Sequence, residues 1–426
     1  MGDEETRRPS RFAIALGAIA TAGLAVRVAA VAGWYRHLEL GPTDNYFYWA
    51  QARAVARGDG FINPFEAGNV ASATHPPLYS TYLSIFARVG LDTPTQFRLA
   101  SCLLGMATVV VIGITARRIA GARAGLISAG IAALFPPLWI ADGTLVSESI
   151  YALVIALVLL AGHSMATRRD ARSAALLGLT IGLAALARSE GLALVVLLAW
   201  PLAALAYGIP WRRRVALAGV ATAVALLTIS PWVIRNLVQF DETVVMSDST
   251  GYVLALGNCD QTYSGAYLGY WHFDCTFVPG PGVSRTRGDL QAREQATRYM
   301  REHKTRLPVV AAARVGRLWH LYRVDQGIDF DVFYERRERI ASTMAVPALY
   351  VAAALALVGV WARRRDPSSL VLFASVVVSA TAAAALAFGV TRYRIAGDVG
   401  VVLFAGIGAD WLLTRVRRRS ADGPAT

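Results

Sequence analysis

Long apolar runs, separated by short polar segments, recur along most of this chain. A helix that crosses a membrane needs about 20 mainly apolar residues, so runs of this length predict transmembrane spans. The sequence predicts ten spans, at residues 12–32, 98–116, 124–140, 148–165, 173–188, 190–207, 215–231, 342–361, 368–389 and 397–414. No convincing small-residue cleavage site follows the first run, which is therefore predicted to be an uncleaved anchor and not a signal peptide.

The composition agrees with a membrane protein. Of the 426 residues 55% are hydrophobic and only 17% are charged, whereas about a quarter of the residues of a typical soluble chain are charged. A net charge of +13 would suggest a nucleic acid partner if the arginines lay on one soluble face. They fall instead in clusters between apolar runs, so the expected partner is the lipid bilayer and no nucleic acid is expected.

The arginine clusters recur at every second loop between the predicted spans. Loops rich in Arg and Lys stay on the cytoplasmic side of a membrane, which gives the chain an orientation. The clusters assigned to the cytoplasm are Arg7, Arg8 and Arg11 at the N-terminus, then residues 117–123, 168–172, 212–214, 363–365 and 415–419. Both termini are then cytoplasmic, in a multi-pass protein of the cell (plasma or inner) membrane.

Two long segments fall on the opposite, extracytoplasmic side. They are the first outer loop, 33–97, and a larger segment, 232–341. Within the larger one, residues 243–278 mix Val, Tyr, Gly and Asn without a run long enough to span, and 289–306 have the pattern of an amphipathic helix. The predicted divisions are an N-terminal module 1–231, an extracytoplasmic segment of mixed structure 232–341, C-terminal spans 342–419 and a cytoplasmic tail 420–426.

Some charges break the topology pattern and are more informative than those that obey it. Ionisable groups at membrane depth or at its surface are costly, so they commonly face a cavity with a function. The acids concerned are Asp44, Asp142 and Glu148, and the arginines at the outer ends of spans are Arg188, Arg235, Arg392 and Arg394. Arginines beside a carboxylate favour a site for a phosphate, because guanidinium binds phosphate oxygens as a fork. Snorkelling to the interface or structural ion pairing is the alternative for each residue.

A phosphate held at the outer surface suggests a polyprenyl-phosphate sugar, with its tail in lipid and its head group in the cavity. Asp44 opens an aromatic segment that can lie at the membrane surface, and a carboxylate there can take a proton from an acceptor hydroxyl. Asp142 precedes a glycine, which also favours a turn, so Asp142 and Glu148 stand behind Asp44 as candidates.

Six motifs in order resemble the GT-C superfamily of polytopic glycosyltransferases, in particular glycosyltransferase family 39, with the protein O-mannosyltransferases and the lipid A aminoarabinose transferase. The resemblance extends from residue 44 to about 400. The motifs are DNYFYWAQARAVARGDGF at 44–61, THPPLYS at 74–80, LVSESIY at 145–151, ARSEG at 187–191, PWVIRN at 231–236 with LGN at 256–258, and TRYR at 391–394. In the family, THPPLYS belongs to a surface helix.

The resemblance implies an all-α membrane bundle of the GT-C type and an inverting transfer in which Asp44 is the general base. It implies that Arg235 and Arg392 or Arg394 hold the leaving phosphate, with Arg188 as a further candidate for contact with the donor. Two departures stand out: Asn45 replaces the second acid of the first motif, and the sequence after TRYR reads IAGD. The Trp-Trp-Asp sequence of oligosaccharyltransferases is not found, which argues against transfer of a whole glycan to asparagine.

Other expectations stay open at this point. No cofactor is required, but some relatives bind a divalent ion near this site, and Glu66, His75 and His272 are candidate ligands; His75 can equally fix a turn. Cys259 and Cys275 are expected either to form a disulfide in an oxidising compartment or to stay free.

A transporter and a non-catalytic lipid-binding protein are the competing function classes. The acceptor is expected to be a glycan, a lipid or a protein, and neither it nor the sugar is identified.

Overall fold

The computed structural model describes residues 10–41 and 43–421. In that part of the chain the regular structure is helical, apart from one isolated antiparallel bridge between Ile62 and Ala71. The predicted cytoplasmic residues Arg7 and Arg8, and the predicted tail from 422 onward, lie outside the described residues.

Ten α-helices cover the first half of the chain. In chain order they are α1 (Arg11–Gly33), α2 (Asp44–Arg57), α3 (Leu78–Ala87), α4 (Pro94–Ala120), α5 (Ala122–Leu134), α6 (Pro136–Thr144), α7 (Glu148–Arg168), α8 (Ala171–Ala187), α9 (Trp200–Ala204) and α10 (Trp211–Gln239). A 3-10 turn at Ser189–Ala193 and a π-turn at Val195–Ala199 lead into α9. The surface helix expected at the THPPLYS motif is α3, which begins at Leu78 after two prolines.

Eight helices follow. They are α11 (Thr250–Gly257), α12 (Asp260–Tyr263), α13 (Arg285–Glu302), α14 (Leu307–Leu318), α15 (Val324–Phe333), α16 (Arg339–Ala362), α17 (Pro367–Leu386) and α18 (Ile395–Ala421). The predicted amphipathic helix corresponds to α13. Among the described residues of 232–341 there are helices and turns, and no strand. The mixed structure expected there is therefore absent, because residues 250–257 form a helix that packs on α13.

The protein is a multi-pass membrane protein. Seven described helices are each long and apolar enough to cross a membrane, namely α1, α4, α7, α10, α16, α17 and α18. The pair α5 and α6 forms an eighth, bent by 47° between them. Shorter apolar helices at Ala171–Ala187 and Ser189–Ala204 occupy the two remaining predicted runs, so each of the ten runs corresponds to helical structure.

Helix ends follow local signals in most places. Thr93 and Gln96 form a capping box at the start of α4, with proline at the first helical position. Gly58, at φ 93°, ends α2 in the left-handed region that favours glycine. The run predicted to end at 231 continues as α10 to Gln239, because Pro231 is accommodated inside the helix.

Helix α18 lies at the centre of the bundle and is buried along its first half. It packs on α16, α17 and α5. Two glycines permit the close approach to α16, since a Cβ at Gly359 would overlap the Phe404 carbonyl oxygen and one at Gly408 would overlap that of Leu355. This packing fixes the start of α18, where the TRYR turn stands.

A disulfide and a buried ion pair stabilise the fold. Cys259 and Cys275 form a disulfide with their Cα atoms 5.9 Å apart, inside segment 232–341. Within the bundle, Arg27 of α1 pairs with Asp142 of α6 at 2.8 Å, and both side chains are almost fully buried. Asp142 is thus the partner of a first-span arginine, where the sequence suggested a turn residue or a second-tier catalytic acid.

Candidate active site

Four short elements converge at one end of the bundle, which we call the site end. They are the start of α2, the start of α7, the TRYR turn before α18, and the tetrapeptide Tyr334–Arg337 between α15 and α16. The arginine clusters at the opposite helix turns mark the other end. Each element begins or ends a helix, so it presents polar side chains without breaking a span.

Asp44 is the first residue of α2, where a negative charge is favoured by the helix dipole. Its carboxylate accepts a hydrogen bond from Arg392 at 2.7 Å and lies 3.2 Å from His75 Nε2. Its side chain is 30% exposed, so it remains open to a ligand. Burial alone would raise the pKa of this carboxyl, but Arg392 and His75 outweigh burial and hold it well below its ordinary value.

His75 fixes the orientation of that carboxylate. Its ring packs edge-on against Phe47 and stacks on Tyr48, both of α2, with centroids 4.9 Å away in each case. The THPPLYS motif therefore folds back onto the first motif.

Arg392 is the central cation of the site. Besides Asp44 it lies 3.4 Å from a carboxylate oxygen of Glu335 and 3.8 Å from one of Glu148. Its side chain is 17% exposed. A guanidinium group shared by three carboxylates from three elements joins α2, α7 and the tetrapeptide 334–337 to the TRYR turn.

Arg188 forms the second half of the cluster. It contacts Glu148 at 2.6 Å and Glu190 at 2.5 Å, and it lies 4.9 Å from the ring of Tyr393. Because Glu148 contacts both arginines, the ARSEG turn and the start of α7 belong to the same site as Asp44. The structure thus brings together Asp44, Glu148, Arg188 and Arg392 from the predicted set.

The carboxylates of this cluster outnumber its arginines. Asp44, Glu148, Glu190 and Glu335 surround Arg188 and Arg392. Burial raises the pKa of Glu335, against the lowering effects of Arg392 and Arg337.

Two predicted arginines are engaged elsewhere. Arg235 donates to the carbonyl oxygens of Ser72 at 3.0 Å and Phe61 at 2.9 Å, and lies 5.1 Å from the Trp232 ring, so it clamps the loop that precedes His75. Arg394 is buried at the end of the TRYR turn and pairs with Asp398 of α18 at 2.8 Å. Neither guanidinium group contacts Asp44 among the described residues.

The three candidate metal ligands do not form a common cluster. Glu66 accepts a hydrogen bond from Asn63 at 2.5 Å, His75 pairs with Asp44, and His272 lies 3.5 Å from Asp274. In the described ranges no group of three His, Cys, Asp or Glu side chains is arranged to hold a metal ion. The residues present therefore do not fit the expected divalent ion at these positions.

Glu335 and Arg337 were missed by sequence reasoning. They belong to the run Glu335–Arg339, ERRER, which has the composition of a solvated charged turn. In the structure Arg337 donates to Thr391 at 2.7 Å and pairs with Asp331 at 3.1 Å, which fastens this run to the TRYR turn. The available signal was the position of the run, directly before the eighth predicted span.

Sequence comparison finds one family. Residues 74–234 match the model of a family described as dolichyl-phosphate-mannose-protein mannosyltransferase. This segment includes His75, Glu148 and Arg188, whereas Asp44, Arg235 and Arg392 lie outside it. A search of curated protein sequences finds no match.

Solved structures with a similar fold include an archaeal oligosaccharyltransferase. The oligosaccharyltransferase of Archaeoglobus fulgidus in the apo form has a TM-score of 0.57 at 13% identity, over 98% of this chain and 52% of that one. The same organism's oligosaccharyltransferase AglB, in complex with an inhibitory peptide and a dolichol-phosphate, has a TM-score of 0.56 at 14% identity, over 96% of this chain and 52% of that one. This chain thus spans about half the length of the oligosaccharyltransferase.

ArnT from Cupriavidus metallidurans, bound to undecaprenyl phosphate, aligns over 93% of this chain and 77% of that one, with 19% identity and a TM-score of 0.40. That score is too low for this alignment to support an argument. This chain is therefore similar in fold to the archaeal oligosaccharyltransferase, and similar in sequence over residues 74–234 to the mannosyltransferase family.

Proposed function

We propose that this chain is a membrane glycosyltransferase of the GT-C type, and that it moves a single sugar from a polyprenyl-phosphate donor to an acceptor hydroxyl. The family match over residues 74–234 and the fold similarity to the archaeal oligosaccharyltransferase support the proposal. The transfer is inverting and takes place at the extracytoplasmic face of the cell membrane. The acceptor is a glycan, a lipid or a protein. The scheme requires no cofactor.

One contact carries the proposal: the carboxylate of Asp44 lies 2.7 Å from the guanidinium group of Arg392. A direct displacement needs a base on the attacking hydroxyl and cations on the leaving phosphate. The acceptor oxygen bonds to the anomeric carbon, its proton passes to Asp44, and the bond from carbon to the phosphate oxygen breaks with its electron pair leaving on the phosphate. Arg392, with Arg188 behind it, stabilises that charge.

The resting contact makes Asp44 a weak base. A general base is most effective when its pKa lies near the working pH, whereas Arg392 and His75 hold the pKa of Asp44 far lower. A phosphate that binds the fork of Arg392 withdraws this cation from Asp44 and adds a negative charge nearby. Both changes raise the pKa of Asp44, so donor binding prepares the base.

Two observations support the extracytoplasmic orientation. The arginine clusters stand at helix turns opposite the site end, which the positive-inside rule assigns to the cytoplasm. The disulfide between Cys259 and Cys275 belongs to segment 232–341, which packs on the site end, and disulfides persist in oxidising compartments.

The test is transfer by the purified full-length protein with defined polyprenyl-phosphate sugars. Asp44→Asn should lower the transfer rate by about two to four orders of magnitude, while donor binding is retained. Asp59→Asn is the matched control, because Asp59 pairs with Arg57 and its side chain is also 30% exposed. A rate above about a tenth of wild type for Asp44→Asn, with chemistry limiting, would remove Asp44 from this role.

A further inference from the structure

A wide groove opens beside the catalytic cluster, on segment 232–341. This open groove has a volume of about 700 Å³, and we call it the aromatic groove after the rings of Tyr267, Phe330, Phe333 and Tyr334 that line it. Tyr267 and Phe330 stack at 5.2 Å with nearly parallel planes, and the side chain of Phe333 is 71% exposed. A large exposed apolar patch with a polar rim often marks a binding site.

The tetrapeptide Tyr334–Arg337 separates the aromatic groove from the catalytic cluster. Tyr334 and Arg336 line the groove, whereas Glu335 contacts Arg392 and Arg337 contacts Thr391 on the other side. Alternate side chains of one backbone segment therefore serve two compartments. A molecule in the groove lies one chain thickness from the cation of the site.

Arg336 connects the groove to Asp44. Its backbone is in the left-handed region, at φ 55°, which is uncommon for a residue other than glycine and is often retained at binding sites. Its guanidinium group packs on Gly41, where an added Cβ would lie 3.5 Å from Nε. Gly41 precedes Asp44 by three residues. Among the described residues Arg336 has no ion-pair or hydrogen-bond partner, so its donors are available to a ligand.

The chemistry of the groove suits a carbohydrate. Aromatic rings carry a negative face, which attracts the C–H groups on the face of a sugar ring. The hydroxyls of Tyr267 and Tyr334, 3.3 Å apart, and the donors of Arg336 can bond sugar hydroxyls. Ligand sites of this volume are mainly aromatic or apolar with a few polar groups that fix orientation.

We infer that the aromatic groove binds the acceptor, and that the acceptor is a glycan whose sugars beyond the reacting one lie on the rings of Phe330, Phe333 and Tyr334. The inference rests on the proposed function, since it names the acceptor class for that site. The reacting hydroxyl reaches Asp44 past Arg336, at the end of the groove.

Other acceptors fit the groove less well. A peptide that binds by adding a strand needs a sheet edge, and the described residues form no strand. A lipid chain could not form hydrogen bonds with Asp329 and Arg339 on the rim or with Arg336. Binding of the chain would also remove water from these charged groups, which is costly.

The test is binding of the full-length protein, in lipid nanodiscs and without donor, to an array of neutral mannose, arabinose, glucose and galactose oligosaccharides of one to four residues. The wild-type protein should bind at least one series more tightly as its length increases. Phe333→Ala and Arg336→Gln, both at exposed positions, should each weaken that binding about tenfold. Trp211→Ala is the control, since Trp211 is an exposed aromatic residue at the opposite end of the bundle.

Absence of oligosaccharide binding by the wild-type protein would overturn the inference. So would equal binding by wild type and the two groove variants, or an equal loss in Trp211→Ala. Because no donor is present, these results are independent of transfer. Failure of the proposed function would appear separately, as an undiminished transfer rate in Asp44→Asn.

Discussion

Replacing Arg392 with lysine tests the phosphate site while the positive charge is kept. The guanidinium group of Arg392 reaches carboxylates of Asp44 at 2.7 Å, Glu335 at 3.4 Å and Glu148 at 3.8 Å. A lysine ammonium is a point charge on a flexible stem and cannot present the planar fork that a phosphate accepts. One charge-assisted hydrogen bond to the phosphate is therefore lost.

The loss of such a bond costs about 1.5 to 3 kcal/mol. This corresponds to a decrease of roughly 10- to 150-fold in donor affinity or in the rate of phosphate departure. The assay is donor binding and single-turnover transfer by Arg392→Lys, with acceptor affinity measured in parallel and expected to stay unchanged.

Arg235→Lys is the matched control, because Arg235 stands at the same end of the bundle and bonds to backbone carbonyl oxygens of the 61–72 loop. It should lower thermal stability and have a smaller effect on donor kinetics than Arg392→Lys. Normal donor binding and turnover in Arg392→Lys would refute the phosphate site. An equal donor defect in both variants would show that the defect does not report contact with the phosphate.

Three further predictions concern stability and orientation. Burial, followed by Arg394 and Arg337, lowers the pKa of His320 to about 3, so the folded protein loses stability as the pH falls below the ordinary histidine pKa of about 6.5. At pH 5 the loss is about 2 kcal/mol, and thermal unfolding at pH 7 and pH 5 should show it for the wild type but not for His320→Gln. Cys259→Ser opens a disulfide whose cysteines are 16 residues apart, which should cost about 3 kcal/mol in denaturant unfolding, and a reductant should destabilise the wild type alone. Val278→Cys should react with an impermeant maleimide in intact cells while Trp211→Cys should not, and the reverse pattern would contradict the orientation.

The helical runs were predictable because a bilayer demands long apolar segments. Eight of the ten predicted runs correspond to helices or a bent helix pair long enough to cross a membrane, and the other two correspond to the shorter apolar helices Ala171–Ala187 and Ser189–Ala204. The exact ends of the helices were not predictable from the apolar runs. The run predicted to end at 231 continues as α10 to Gln239, with Pro231 inside the helix. Proline removes one backbone donor, and surrounding packing decides whether the helix tolerates that loss.

The candidate site was predictable only in part. Asp44 and Arg392 are 348 positions apart, and only the order of family motifs connects them in the sequence. Arg394 stands two residues from Arg392 and looked equivalent, but it points into α18 toward Asp398. Glu335 could not be identified from the sequence, because a charged run has the same composition whether it faces water or Arg392. Direction of a side chain, and whether its donors are already used, appears only in three dimensions.

Arg27 and Asp142 impose an order on the insertion of this chain into the membrane. Either charge alone in a helix is expensive at bilayer depth, about 2.5 to 3.5 kcal/mol on insertion scales. Arg27 also donates to the carbonyl oxygen of Ala133 at 3.1 Å, so its partners outside α1 arrive with α5 and α6. During synthesis α1 is therefore held loosely in the bilayer until the chain has been made as far as Asp142, and nascent chains that stop short of that residue should release α1 more easily than chains that include it.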